Sequence, residues 1–342
     1  MRKETNYLGL IFLLAFASFL FGNSPNREID LRGEWRFEIG DNLEFADPEF
    51  NDTKWVSIKV PGAWENEGFP GFDGYGWYRL SFTVPRHLKH KCLFLKLGQI
   101  DDVDRTYLNG HFLGGHGDFP PDYITAYDVN RTYEIPSTFI KFGKRNVLSV
   151  RVFDHHGGGG IVHGDVGLYS HENVLNLQID LSGLWKFKTG DEWEWATMEY
   201  DDTHWKSITT PSTWERQGYI RHDGYAWYRK FVKIPKNLTR TKLILLLGKI
   251  NDVDQVYFNG AKIGETGEFP KNKRDRIKGQ KDVERAYFIP SYLIQTTQLN
   301  IIAVRVYDSG RNGGIYSGYV GIAARDDYLK YTRKKKQITE NR

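Results

Sequence analysis

Two stretches of the chain, Asp73-Gly74-Tyr75-Gly76-Trp77-Tyr78-Arg79 and Asp223-Gly224-Tyr225-Ala226-Trp227-Tyr228-Arg229, each gather a carboxylate, aromatic rings and a guanidinium within one short run. Aromatic faces pack on C–H groups, and planar charged groups make paired hydrogen bonds. Such a set can hold a flat ring that carries hydroxyls. Asp73, Trp77, Tyr78, Arg79, Asp223, Trp227, Tyr228 and Arg229 are therefore candidate ligand contacts. The competing reading is structural, because Trp and Tyr often pack in or around a core and a turn Asp often bonds its own backbone.

A second group is acidic. Asp101-Asp102-Val103-Asp104 is matched by Asn251-Asp252-Val253-Asp254, and clustered carboxylate oxygens are the ligands that Ca²⁺ takes. Asp102 and Asp104 share one face if the segment is a strand, whereas a calcium cage needs about six oxygens from several segments. Hydrogen bonding to neighbouring turns is the preferred reading, with metal and sugar contact as the alternatives and Asp104 and Asp254 kept as candidate ligand contacts. No cofactor is expected; a structural Ca²⁺ is the one exception these residues leave open.

Histidines form a third group. His111, His116, His155, His156 and His163 stand where the second half of the chain has Ala261, Thr266, Ser309, Gly310 and Ser317. If they converged they could bind a transition metal or supply a general base, whereas solvated loop histidines need no such role. His156 is retained as a candidate contact. Glycines 157–160 and Gly313-Gly314 lack the following helix of a phosphate cradle and read as open loops beside a strand.

The elements that must position these groups come in two copies. Asp30-Leu31-Arg32-Gly33-Glu34-Trp35-Arg36-Phe37 returns as Asp180-Leu181-Ser182-Gly183-Leu184-Trp185-Lys186-Phe187, at the 150-residue offset that also separates Asp73 from Asp223. Trp55 and Trp205, Pro61 and Pro211, Trp64 and Trp214, and Asn109-Gly110 and Asn259-Gly260 keep that register. The second copy then gains four residues within the charged segment 271–285, since Ile135-Pro136 aligns with Ile289-Pro290. A polar stretch that changes length between copies is a surface loop. The period is too long for a solenoid unit, so each copy reads as a complete domain.

Within a copy the period is that of strands. Leu93, Leu95 and Leu97 alternate with Cys92, Phe94 and Lys96, and the leucines recur as Leu243, Leu245 and Leu247. Cys92, whose counterpart is Lys242, is expected on the outer face. Residues 103–108, Asn109-Gly110 and 111–114 read as a hairpin closed by a two-residue turn. With 15% aromatic residues, 35 glycines and no strong amphipathic helix, the fold class is all-β: two tandem antiparallel β-sandwich jelly rolls.

Composition sets the remaining bounds. Met1-Arg2-Lys3, an apolar run over residues 7–22 and Asn23-Ser24-Pro25 have the layout of a secretory signal. The expected organisation is a signal over 1–24, jelly rolls over 25–172 and 173–325, and a basic, disordered tail over 326–342. The tail carries most of the formal charge of +4, which leaves a body near neutrality and unsuited to nucleic acid. Cys92 is the only cysteine, so no intrachain disulfide and no cysteine-cluster metal site can form. Export without disulfides fits a bacterial periplasm or exterior, with no membrane attachment after signal cleavage.

The Leu-x-Gly-x-Trp-x-Phe opening, Val60-Pro61-x-x-Trp64, Gly76-Trp77-Tyr78-Arg79 and the Asp104 to Gly110 hairpin resemble the sugar-binding jelly roll at the N-terminus of glycoside hydrolase family 2 enzymes, of the galactose-binding-domain-like fold. The glycine run before Ile161 is also similar to the jelly-roll module of sialate O-acetylesterases. The resemblance implies a carbohydrate partner, and marks Asp165 as matching an acidic position near the active site of some family members. The hydrolases carry their catalytic glutamates in a separate (β/α)8 barrel of roughly 250 residues, and both repeats here are used up by jelly rolls. No Gly-Asp-Ser, Gly-Gln-Ser or Gly-x-Ser-x-Gly is present for esterase chemistry. The expectation is a secreted, non-catalytic carbohydrate-binding protein accessory to glycan degradation. A glycan-active hydrolase and a structural or adhesion module are the alternatives.

Overall fold

The computed structural model describes residues 25–170, 175–220, 222–272, 279–280, 282–310 and 313–340. The proposed signal lies outside these residues, as does part of the inserted loop. The first half folds into β1 (Asn26–Asp30), β2 (Gly33–Ile39), β3 (Val56–Val60), β4 (Gly74–Thr83), β5 (Leu93–Asp101), β6 (Val103–Leu108), β7 (His111–His116), β8 (Asn130–Glu134), β9 (Arg145–Asp154) and β10 (Gly160–Ser170). The second half repeats them as β11 (Leu177–Asp180), β12 (Gly183–Thr189), β13 (Lys206–Thr210), β14 (Gly224–Val232), β15 (Leu243–Ile250), β16 (Val253–Phe258), β17 (Ala261–Thr266), β18 (Glu284–Ile289), β19 (Asn300–Asp308) and β20 (Ile315–Ala324).

Each half is a sandwich of two antiparallel sheets. In the first, the order is β1-β10-β5-β8 in one sheet and β3-β2-β4-β9-β6-β7 in the other, and the second half repeats both orders strand for strand. The chain is thus all-β, as the alternating pattern requires. Leu93, Leu95 and Leu97 point into the first core with Trp35, Phe37, Trp64, Tyr78 and Val150, and Leu243, Leu245 and Leu247 into the second. The hairpins close at Asn109-Gly110 and Asn259-Gly260, all with positive φ between 50° and 82°, the geometry that a two-residue turn between twisted strands requires.

Two expectations are corrected. The segment after β20 is not an irregular tail but a helix, α1 (Arg325–Glu340). Asp326 and Asp327 sit in its first turn, where the helix dipole favours acid, and Tyr328 and Tyr331, one turn apart, pack on Leu175, Ile244, Leu246 and Ala323. Cys92 does turn away from its own core, but the second sandwich covers it. Burial pushes its thiol up to about 12, against a hydrogen bond with Tyr319 that acts the other way.

The sandwiches touch through specific polar contacts. The Ser137 hydroxyl donates to Asp180, and Arg216 of the second half reaches His116 of the first. A cavity of about 510 Å³ lies between them, lined among others by Cys92, Glu134, Asp180, Tyr319 and Tyr331. Burial lifts the Glu134 carboxyl to about 7.

Candidate functional site

The repeated aromatic stretch is mostly interior. Trp77, Tyr78 and Arg79 are at most 1% exposed, and so are Trp227, Tyr228 and Arg229. Tyr78 packs in the sandwich core, edge-on to Trp35 and Phe37. Trp77 and Arg79 occupy the other face of β4, and the segment between β2 and β3 roofs them. Trp77 packs between Phe45 and Tyr107. The Arg79 guanidinium donates to Asp52 at 2.8 Å and to the carbonyls of Phe45, Asp47 and Phe50. Arg229 repeats this with Asp202 at 2.7 Å and the carbonyls of Trp195, Thr197 and Tyr200. These six residues are therefore corrected from candidate contacts to structural anchors: all six are buried, and both guanidiniums are spent on the roof. Asp73 and Asp223, at the open start of β4 and β14, remain exposed.

Asp104 and Asp254 are corrected likewise. Asp104 is fully buried and accepts from Arg131 Nε at 2.9 Å, Tyr133 OH at 2.7 Å and Thr106 Oγ1 at 2.9 Å. Asp254 accepts from Arg285 Nε at 2.6 Å and from the Tyr287 hydroxyl. Both are fully buried, out of reach of a ligand at the surface. Asp165 is exposed on β10 and pairs with Lys96 at 3.5 Å, with no contact to the acidic group described next.

The structure instead assembles a site at one end of the first sandwich, where strands of both sheets meet. Asp101 closes β5, Asp102 leads into β6 and Asp154 ends β9, and one oxygen from each lies within 4.8 Å of the others. Asp102 accepts from the Thr125 hydroxyl and, at 3.0 Å, from the His155 backbone N–H. Asp154 is fully buried, and neither of its oxygens has a hydrogen-bond partner. Desolvation, then the charges of Asp102 and Asp101, raises the Asp154 carboxyl to about 7. Desolvation and Asp102 raise Asp101 to about 6.

Around this acidic floor the rim is open. Half-buried Tyr123 lies 5.1 Å from exposed His155, ring to ring, and His155 lies 5.3 Å from exposed His156. Of the five histidines singled out in the first copy, these two come together. His111 stacks on Phe139 at 4.3 Å, and His116 bonds Tyr133. The glycine run after His156 closes the fold beneath the rim. A Cβ at Gly159 would lie 2.3 Å from the Trp64 ring, and one at Gly160, whose φ is +113°, would lie 2.3 Å from the Tyr78 hydroxyl.

Two features of interest escaped the reading of the sequence. Asp154 lay unmarked at the end of a strand, although a carboxylate closing an apolar alternating run is a detectable signal. Trp193 is 59% exposed, with the Arg305 guanidinium 4.5 Å from its ring centre and Asp191 bonding that same guanidinium at 2.5 Å. Its signal was also present, because the first copy has Leu43 at that position, so the tryptophan is not part of the shared framework.

Fold and motifs define a pair of sandwich modules similar to the N-terminal sandwich domains of glycoside hydrolase family 2 enzymes. No family model matches the chain. Its relatives are more particular: it is 27% identical over 214 residues to the β-galactosidase BoGH2A of Bacteroides ovatus, covering 58% of this chain and 21% of that enzyme. It is 24% identical over 229 residues to a putative β-glucuronidase of Formosa agariphila, covering 62% and 19%. The chain thus spans about a fifth of the length of these curated relatives. Among solved structures, a Bacteroides uniformis β-glucuronidase aligns over 83% of this chain and 28% of its own, with 20% identity and a TM-score of 0.37.

Proposed function

We propose that the protein is a carbohydrate-binding, non-catalytic partner in glycan breakdown, and that the open end of the first sandwich is its principal sugar site. The observation that carries this reading is the convergence there of Asp73, Asp101, Tyr123, His155 and His156 around one acidic floor. Carboxylates and imidazoles match paired hydroxyls, and the Tyr123 ring offers a face for the sugar's C–H groups. The glycosidase relatives supply the substrate class. In the second sandwich, exposed Trp193 beside Arg305 and Asp191 is a second platform, at a different place in the module. Two weak sites on one chain gain from effective concentration when the ligand is a polymer.

Binding is favoured over turnover because glycoside hydrolysis places two carboxyls across a cleft wide enough for the sugar. Asp101, Asp102 and Asp154 share a single small space instead. The leader-like start of the sequence supports export to the periplasm or exterior, which cell fractionation tests. The binding test is a glycan array and titration calorimetry with the full chain, wild type against Y123A, H156A and W193A. Loss of binding in these variants supports the reading; no binding by the wild type to any glycan overturns it. A panel of chromogenic glycosides and acetylated sugars run alongside tests hydrolysis, and turnover there would replace it.

A further inference from the structure

We propose that the first sandwich binds one divalent cation, Ca²⁺ by its all-oxygen chemistry, between Asp101, Asp102 and Asp154, and that the second sandwich has an amide built in where the first needs the ion. The cation site shares Asp101 with the proposed sugar site, so its test is run without sugar.

Three carboxylates alone would not make a site. The further observation is Asp154, a fully buried side chain whose two oxygens both lack a partner while facing Asp101 and Asp102. A buried carboxylate left in that condition costs several kcal/mol unless something neutralises it. Among the described residues no Lys, Arg or His forms an ion pair with any of the three. Arg131, which sits close by, is committed to Asp104 and to the carbonyls of Asp102, Ala126 and Val129.

The second sandwich acts as an internal control. Asp308 stands for Asp154 and Asp252 for Asp102, and one contact recurs: Ser309 N–H donates to Asp252 at 2.8 Å as His155 N–H does to Asp102 at 3.0 Å. The difference is Asn251, which stands for Asp101. Its Nδ2 donates to Asp308 Oδ1 at 2.9 Å, so one oxygen of the buried carboxylate is met from within the protein. In the first sandwich that donor is replaced by a third acceptor. Exchange of a donor for a carboxylate at this position removes the hydrogen bond that meets one oxygen of the buried acid and leaves a group of acceptors that calls for a cation.

The donor set suits a hard ion. Ca²⁺ takes six to eight oxygens in flexible geometry, and carboxylates binding through one or both oxygens, completed by water, provide them. The bonds from Thr125 and His155 N–H to Asp102 hold that carboxylate in place, as outer-shell donors do for metal ligands.

The test is calorimetric titration of Ca²⁺ into chelator-treated full-length protein in the absence of sugar, with melting temperature measured in parallel. The expected result is one ion per chain and a higher melting temperature with Ca²⁺. D154N should weaken binding at least 100-fold. D101N, which copies the arrangement of the second sandwich, should abolish binding while the protein stays folded and its melting becomes insensitive to Ca²⁺. N251D should raise the stoichiometry to two. Absence of binding to the wild type at millimolar Ca²⁺, binding that survives both D154N and D101N, or two ions bound to the wild type would each overturn the proposal.

Discussion

Arg216 Nη2 in the second sandwich lies 2.9 Å from His116 Nε2 in the first. A guanidinium can only donate, so Nε2 must be the acceptor and the imidazole proton must sit on Nδ1. Nδ1 then donates to Tyr133 OH at 3.0 Å, and Tyr133 donates onward to Asp104 at 2.7 Å. One chain of hydrogen bonds thus joins the two modules through a histidine that must be neutral.

This chain makes the junction acid-sensitive. Burial, then the Arg216 charge, lowers His116 to about 4, with Asp104 pulling the other way. A folded value below the unfolded one means that the unfolded chain binds more protons between pH 4 and 6.5, so stability falls as pH drops through that window. We expect a loss of roughly 2 kcal/mol from His116 between pH 7 and 4.5. Urea unfolding at the two pH values measures it. H116T, which copies Thr266 of the second sandwich and its 2.7 Å contact with Tyr287, should shrink the pH dependence by that amount.

Arg79 and Arg229 should prove essential to folding rather than to binding. Each is a buried guanidinium bonded to one carboxylate and several carbonyls, and its removal strands all of those acceptors. R79A or R229A is expected to destabilise its sandwich by about 3–5 kcal/mol. R79K should recover little, because an ammonium cannot reach the same fan of acceptors. Chemical denaturation measures both. Glycan affinity of any R79K that folds should match the wild type.

The sequence carried the fold well and the site poorly, for a physical reason. Duplication, leucine alternation and the Asn-Gly turns are local signals, and each dictated the strand or turn that formed. Trp77 and Arg79 misled because amphipathic residues serve equally at a binding face and beneath a roof. Only the course of residues 43–55 over β4 separates the two uses, and no periodicity encodes it. The acidic site depends on β5 and β9 ending side by side, a long-range juxtaposition that brings Asp101 to Asp154. The C-terminal helix was hidden by its own charge, since dense lysine reads as disorder until Tyr328 and Tyr331 are seen to share a face.

That helix should stabilise the second sandwich. Tyr328 and Tyr331 cover Ile244 and Leu246 on the outer face of β15, together with Leu175 just before β11, and Lys335 pairs with Glu284 at 2.7 Å. Y328A/Y331A is expected to cost about 2–4 kcal/mol, chiefly from lost apolar burial. K335A should cost under about 1 kcal/mol, because the pair is solvent-exposed. Thermal melts of the full chain test both, and equal effects from the two would show that the tyrosine contacts contribute little.

Gly76 and Ala226 occupy equivalent positions, yet the two sandwiches should tolerate exchange differently. A Cβ at Gly76 would lie 2.7 Å from both the Phe37 and Trp64 rings, closer than packed carbons approach. Ala226 already fits its core beside Phe187 and Trp214, at full burial. G76A must therefore push two large rings off their positions, an overpacking cost of about 1–3 kcal/mol. Trp64 also packs under Gly159, where a Cβ would lie 2.3 Å away, so its displacement should be passed to the loop that carries His155 and His156. A226G only removes a methyl and loosens a strand, at about 1 kcal/mol. Urea midpoints give the two stabilities, and Trp fluorescence reports ring displacement. G76A should shift the emission and weaken glycan binding at the His155–His156 rim, while A226G should leave both unchanged.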